Sequence, residues 1–145
     1  MLGESEVRER VIDQRYRLIS RLGAGGMGTV YLAEHIGLGL RRAIKFLRPE
    51  IARHASARKR FLQEARVVAS LRHEHILEVV DLGEFDGSAY YVMELLEGED
   101  LRALLRRERT LPWPRVRAIM LQICAALRAA HERGVIHRDL KPDNC

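Results

Sequence analysis

The feature that most constrains this chain is a glycine cluster, Gly23-Ala24-Gly25-Gly26-Met27-Gly28, set between two segments that both read as β-strands. Residues 16–22 alternate apolar and polar side chains, with Tyr16, Leu18 and Leu22 on one face. Residues 29–35 are rich in β-branched and aromatic residues. The spacing Gly23-x-Gly25-x-x-Gly28 is weak alone, because a plain hairpin turn also uses glycine. The strand-like segment after it narrows the choice. A dinucleotide fingerprint needs a helix after the glycines, to aim its N-terminus at a pyrophosphate. A Walker A loop ends in Gly-Lys-Ser/Thr, and Gly28-Thr29 has no lysine. A glycine loop between antiparallel strands suits a flap over phosphates, since backbone N–H groups approach closely where no side chain intervenes.

The remaining pattern is strand-rich first and helical later. Residues 1–15 read as a polar lead-in segment. Gly37-Leu38-Gly39 supplies a turn into a third strand over 41–47, ended by Pro49. Residues 57–71 have helical periodicity, with Phe61, Ala65, Val68 and Leu71 in one stripe. Strands over 76–82 and 88–93 are joined at Asp86-Gly87, a hairpin signal. Asp100 can cap a helix over 101–108, and Pro114 opens a long helix that closes near Gly134. Five strands with one interposed helix, and then helices, is an α+β order.

Composition removes several alternatives. The chain has 145 residues, 47% of them hydrophobic, which suffices for one core and excludes a disordered tail. Cys124 and Cys145 form no disulfide framework, so a reducing, cytoplasmic location is expected. The acidic start lacks the apolar core of a signal peptide, and no apolar run is long enough to span a membrane. The net charge of +5 invites a nucleic-acid reading, but acidic residues alternate with basic ones along most of the chain. The basic residues are 22 arginines and three lysines. In such a chain each lysine asks for a reason. Lys59 sits in the exposed-looking run Arg58-Lys59-Arg60; Lys45 and Lys141 do not.

Lys45 lies in Ala43-Ile44-Lys45, on a strand whose alternate positions should be buried. A desolvated ammonium needs a countercharge or an anionic ligand, and Glu64 on the next helix offers the former. Snorkelling from an edge strand to solvent is the other reading. The segment His137-Arg138-Asp139-Leu140-Lys141-Pro142-Asp143-Asn144 comes directly after the long helix. There Asp139 can accept a hydroxyl proton, Lys141 can neutralise a phosphoryl group, and Asn144 can offer an amide oxygen to a metal ion.

Taken together, these motifs resemble a protein kinase of the bacterial serine/threonine type from Tyr16 to Asn144. The match comprises G-x-G-x-x-G-x-V (Gly23, Gly25, Gly28, Val30), the strand lysine in Ala43-Ile44-Lys45, and H-R-D-L-x-x-x-N from His137 to Asn144. The resemblance implies a five-stranded antiparallel N-lobe sheet with its helix C over about 16–93, a hinge over 94–100, and the first helices (D, E) of a helical C-lobe over 101–145. It further implies ATP and Mg²⁺ as cofactors and protein serine or threonine hydroxyls as acceptors. The glycines would cover the phosphates, Val30 and Ala43 would sandwich the adenine, and Lys45 would hold the α/β-phosphates while paired with Glu64. Met93 would be the gatekeeper, with backbone groups of Glu94 and Leu96 reading adenine and Asp100 touching the ribose. Asp139 would orient and deprotonate the acceptor, Lys141 would stabilise the γ-phosphoryl, and Asn144 would bind Mg²⁺. The Lys141 position resembles serine/threonine rather than tyrosine kinases, and Arg138 resembles the subset controlled by activation-loop phosphorylation.

The family's D-F-G aspartate and activation loop belong after Asn144, and the sequence given ends at Cys145. Asp81-Leu82-Gly83 imitates D-F-G but precedes Asp139 and lies in a strand-like segment, which marks it as a decoy. The long helix is apolar nearly all round: Val116, Ile119, Met120, Ile123, Leu127 and Ala130 form one stripe, and Ala118, Leu121, Ala125 and Ala129 the other side. This predicts an exposed apolar patch and, through it, association with a second copy or another kinase. Three functions are compatible with the sequence: a serine/threonine kinase represented by its N-terminal part and inactive alone; a non-catalytic ATP-binding or regulatory chain; and, on charge alone, a nucleic-acid binder.

Overall fold

The structure, a computed structural model, describes residues 10–145. The elements in chain order are β1 (Val11–Ile12), β2 (Tyr16–Ala24), β3 (Gly28–His35), β4 (Leu40–Leu47), α1 (Pro49–Ala52), α2 (Ala55–Ser70), β5 (Val79–Phe85), β6 (Ser88–Glu94), α3 (Leu101–Glu108), α4 (Trp113–His131) and a 3₁₀ turn (Pro142–Asn144). They fall into two compact units. The first holds the described residues up to Ser70 together with Glu78–Leu95; the second holds Leu71–Leu77 and Leu96–Cys145.

The first unit is a six-stranded antiparallel sheet in the order β1-β2-β3-β4-β6-β5. The sheet has one strand more than the sequence pattern predicts. The extra strand is β1, inside the expected lead-in segment; the part of that segment before Arg10 lies outside the described residues. A tight turn with Asp13 and Gln14 at φ 47° and 57° folds β1 back onto β2. Two residues are too short for a periodicity to show, yet Ile12 is 1% exposed. It joins Tyr16, Leu18, Ala33, Ile44, Tyr90 and Val92 in a core on one face of the sheet.

Strand alternation places a second core on the opposite face, where Phe61 of α2 packs with Leu47, Ala52 and Ala89. Ala65 is buried on the same helix, and the Phe61 and Tyr91 rings lie 5.1 Å apart. Leu71 is buried but lies just past the end of α2, in the second unit. Leu22, expected beside Tyr16 and Leu18, is instead 51% exposed. Register shifts between Leu18 and Ser20 and between Arg21 and Gly23 break the two-residue period. The fourth expected strand begins three residues late, at Val79. Residues before it form a turn in which Ile76 N–H donates to the His73 carbonyl, while Glu78 and Glu94 exchange hydrogen bonds at the edge of the pairing. Asp86 and Gly87, at φ 51° and 73°, make the tight hairpin turn their sequence signals.

In the second unit, α3 runs over the residues its pattern predicts, and the Asp100 carboxylate accepts from Ala103 N–H at 2.7 Å. Helix α4 closes where Gly134 takes φ 72°. Its N–H donates to the His131 carbonyl and that of Val135 to the Ala130 carbonyl, a Schellman ending. Only Ala130 of α4 is fully buried. Trp113 (72%), Leu121 (55%) and Met120 (49%) are exposed. Met120, expected on the covered stripe, does not share its cover. No helix among the described residues is long and apolar enough to cross a membrane.

Candidate active site

Within the first unit, the candidate nucleotide-handling residues lie on the face of the sheet that also receives α2. The register aligns Gly23 with Val30, Val30 with Lys45, and Lys45 with Tyr91, a row running across β2, β3, β4 and β6. A second row aligns Leu32 with Ala43 and Ala43 with Met93. Since side chains two apart on a strand share a face, Val30, Ala43, Lys45 and Met93 lie on one face of the sheet. Glu94 ends β6 with its carboxylate holding Glu78 N–H.

The glycines divide into two kinds. A Cβ on Gly28 would overlap the Phe46 carbonyl oxygen, so this position is glycine because β3 and β4 approach too closely for anything else. Cβ atoms on Gly23 or Gly25 would meet nothing within 4 Å. The space over those two is open, the room a phosphate-covering flap requires. The turn is closed by Gly25 N–H donating to the Gly28 carbonyl at 2.9 Å. Arg48 ties it to the end of β4: its N–H donates to the Met27 carbonyl and its guanidinium to that of Gly25. Sequence reasoning missed Arg48, which in an arginine-rich chain carries no distinguishing signal.

The expected ion pair between Lys45 and Glu64 is not formed. Lys45 Nζ lies 5.9 Å from the centre of the Tyr91 ring, a cation–π arrangement, and Glu64 is exposed on α2. Burial pushes the Tyr91 phenol up to about 12, and the Glu64 charge adds to the rise. Both charged groups thus act on Tyr91 rather than on each other, because the ring occupies the position beside Lys45 in the sheet register. Lys45 is half-buried and has no carboxylate partner among the described residues, which leaves its charge without an anionic counterpart. Asp81, the decoy, is a structural group of β5. It accepts from Tyr16 Oη at 2.9 Å and pairs with Arg15 at 2.7 Å.

Within the second unit, the loop after α4 brings Asp139, Lys141 and Asn144 together. Lys141 Nζ is 3.0 Å from the Asp139 carboxylate. Asn144 Nδ2 donates to the Asp139 carbonyl at 2.8 Å and to its carboxylate at 3.2 Å. The Lys141 hydrogen bond, with help from Asn144, holds the Asp139 carboxyl below the usual carboxylate range, so Asp139 is ionised at neutral pH. Arg138 takes φ 61°, a left-handed backbone uncommon for a side chain of its size. Asp100 and Leu96 are both exposed; Asp100 uses one carboxylate oxygen as a helix cap.

Neither half holds three metal-ligating His, Cys, Asp or Glu side chains together among the described residues. The donor set nonetheless suits Mg²⁺. Asn144 spends its N–H donors on Asp139, which leaves its amide oxygen as a hard ligand. Mg²⁺ ordinarily takes one or two protein oxygens and completes its shell with water and phosphate.

Comparison with known proteins bears on the family. The family described as "Protein kinase domain" matches residues 16–145. The serine/threonine-protein kinase pkn2 of Myxococcus xanthus is 43% identical over 136 residues, covering 92% of this chain and 16% of that protein. PknF of Mycobacterium tuberculosis is 43% identical over 131 residues, covering 89% of this chain and 28% of that protein. Among solved structures, the Mycobacterium tuberculosis PknI kinase domain superposes with a TM-score of 0.79 at 38% identity, covering 99% of this chain and 57% of that domain. The chain therefore spans well under a third of these curated relatives and just over half of a solved kinase domain. With a family model matching all but the first 15 residues and a kinase-domain fold, the chain belongs to the protein kinase domain family.

Proposed function

We propose that the chain supplies the nucleotide-handling sheet and the catalytic loop of a kinase that transfers phosphate from ATP to protein serine or threonine hydroxyls. The observation that carries this reading is the loop itself, in which an ionised Asp139 is held by both Lys141 and Asn144. Asp139 accepts the proton of the attacking hydroxyl as the new O–P bond forms and ADP departs. Lys141 offsets charge on the transferring group, and Lys45 binds phosphate oxygens beneath the open glycine turn. Mg²⁺, when bound, neutralises phosphate charge, and the Asn144 amide oxygen is its ligand in this chain. The D-F-G aspartate of complete kinases supplies a further metal ligand, so residues 1–145 alone are expected to turn over little or no substrate. Free thiols at Cys124 and Cys145 suit a cytoplasmic, reducing setting.

One observation favours a second reading, that of a non-catalytic ATP-binding or regulatory chain. Lys45 rests against Tyr91 rather than Glu64, so its side chain is not drawn toward phosphate by a carboxylate. Thermal-shift measurement with ATP, with and without Mg²⁺, tests binding, and the absence of any shift would sink both readings for this chain. Phosphotransfer to a generic protein substrate separates them. Turnover by residues 1–145 that disappears in Lys45→Ala would refute the expected inactivity and favour the first.

A further inference from the structure

The catalytic loop is built from exposed, charged residues. Asp139, Lys141, Asp143 and Asn144 are all solvent-accessible, so polar tethers rather than burial decide its shape. Two tethers reach it from the first turn of α3. Leu101 N–H, one of the helix's unsatisfied first-turn donors, gives its hydrogen bond to the Cys145 carbonyl at 2.8 Å. Arg102 Nε lies 2.6 Å from the Asp143 carboxylate. These contacts fall on the two residues flanking Asn144. Asn144 in turn holds Asp139 through its side chain, and its own N–H donates to the Lys141 carbonyl at 2.9 Å.

From this arrangement we infer that Arg102 is a positioning residue of the catalytic loop, acting through Asp143 to hold Asn144 against Asp139. Arg102 touches none of the groups assigned to phosphate, metal or acceptor; Asp143 is its ion-pair partner in the loop. Both side chains are only partly covered, so the pair contributes little to global stability. Its effect is local. It selects one pose of a loop that would otherwise sample several, and small errors in the pose of reacting groups are amplified in rate.

This inference rests on the kinase reading for its consequence in catalysis, but not for the tether itself. Hydrogen exchange on residues 1–145 reads the tether directly. In Arg102→Ala, the Leu101, Asn144 and Cys145 amides should exchange about 3- to 5-fold faster, the range an exposed ion pair supports. Amides in the middle of α4 should be unchanged, and the swap Arg102→Asp with Asp143→Arg should return the loop to its original rate. Equal exchange in Arg102→Ala and the unaltered chain would overturn the inference. In an active form of the kinase that contains these residues, Arg102→Ala should lower kcat about 3- to 10-fold. It should also raise the Mg²⁺ concentration for half-maximal rate, with KM for ATP unchanged. An unchanged kcat and Mg²⁺ dependence would overturn the positioning role. If exchange responds but the unaltered protein transfers no phosphate, the tether stands and the kinase reading fails.

Discussion

Asn144 donates one side-chain nitrogen to both the carbonyl and the carboxylate of Asp139, at 2.8 and 3.2 Å, so the residue proposed to face the metal also fixes the proposed proton acceptor. Lys141 closes the same carboxylate from the other side. Lys141→Ala should therefore move the Asp139 pKa up toward its ordinary value, measurable by carboxyl-carbon NMR titration. The sign is set by a depressed pKa. The loop contacts are at full strength above the ordinary carboxylate value and weaken as pH falls through the lowered one. An Asp139 titration unmoved by Lys141→Ala would show that the ion pair does not persist in solution.

Gly28 and Gly25 should respond oppositely to the same substitution. Gly28→Ala drives a Cβ into the Phe46 carbonyl, and relieving that contact means parting β3 from β4. A cost of about 1–3 kcal/mol is expected from denaturant unfolding. Gly25→Ala enters open space and should leave the unfolding midpoint in place while weakening ATP binding, because a methyl group then stands where phosphate would approach. Equal destabilisation by both would contradict this division.

Two tyrosines anchor the β1–β2 turn to the sheet. Tyr90 Oη donates to the Asp13 carboxylate and Tyr16 Oη to Asp81. Tyr90→Phe should cost about 1.5 kcal/mol, as expected for losing a hydrogen bond to a charged acceptor. Burial, with the Asp81 hydrogen bond second, pushes the Tyr16 phenol up from 10.0 to about 12, and burial with the Asp13 hydrogen bond raises Tyr90 likewise. A raised pKa stabilises the fold fully below about pH 10, and that stabilisation is lost as pH climbs through 12. Unfolding measured across that alkaline range should show the decline in the unaltered protein and a smaller one in Tyr16→Phe.

Much of this architecture is legible in the sequence because it is local. Asp100 caps α3, Asp86-Gly87 turns the hairpin, and Gly134 closes α4, each through a requirement of one or two backbone positions. The rows that bring Val30, Ala43, Lys45 and Met93 to one face arise from strand alternation. The illegible part is non-local. Leu22 leaves its face because of register shifts that no residue announces. Ile12 becomes core only because a two-residue strand folds back onto β2. The orientation of Lys45 toward Tyr91 depends on cross-strand pairing between β4 and β6, which sequence spacing does not encode.

Lys45→Met removes the ammonium while keeping most of the stem. With no ion pair to break, the unfolding midpoint should change within about 0.5 kcal/mol. In an active form of the kinase, phosphotransfer should fall about 10²–10³-fold or more, the loss expected when one preorganised charge is deleted. A large stability loss instead would show that Lys45 is chiefly a packing residue against Tyr91.

The strand β1 sets where this protein can be cut. The match to the family model begins at Tyr16, whereas the core reaches back to Ile12, and Asp13 and Arg15 hold Tyr90 and Asp81 from the same turn. A chain started at Tyr16 would keep every recognisable motif and yet lose a buried isoleucine, worth about 1.5–3 kcal/mol, along with two polar anchors. The folding unit begins before the stretch that the family model matches, and truncation guided by that match alone would remove the cover from one face of its sheet.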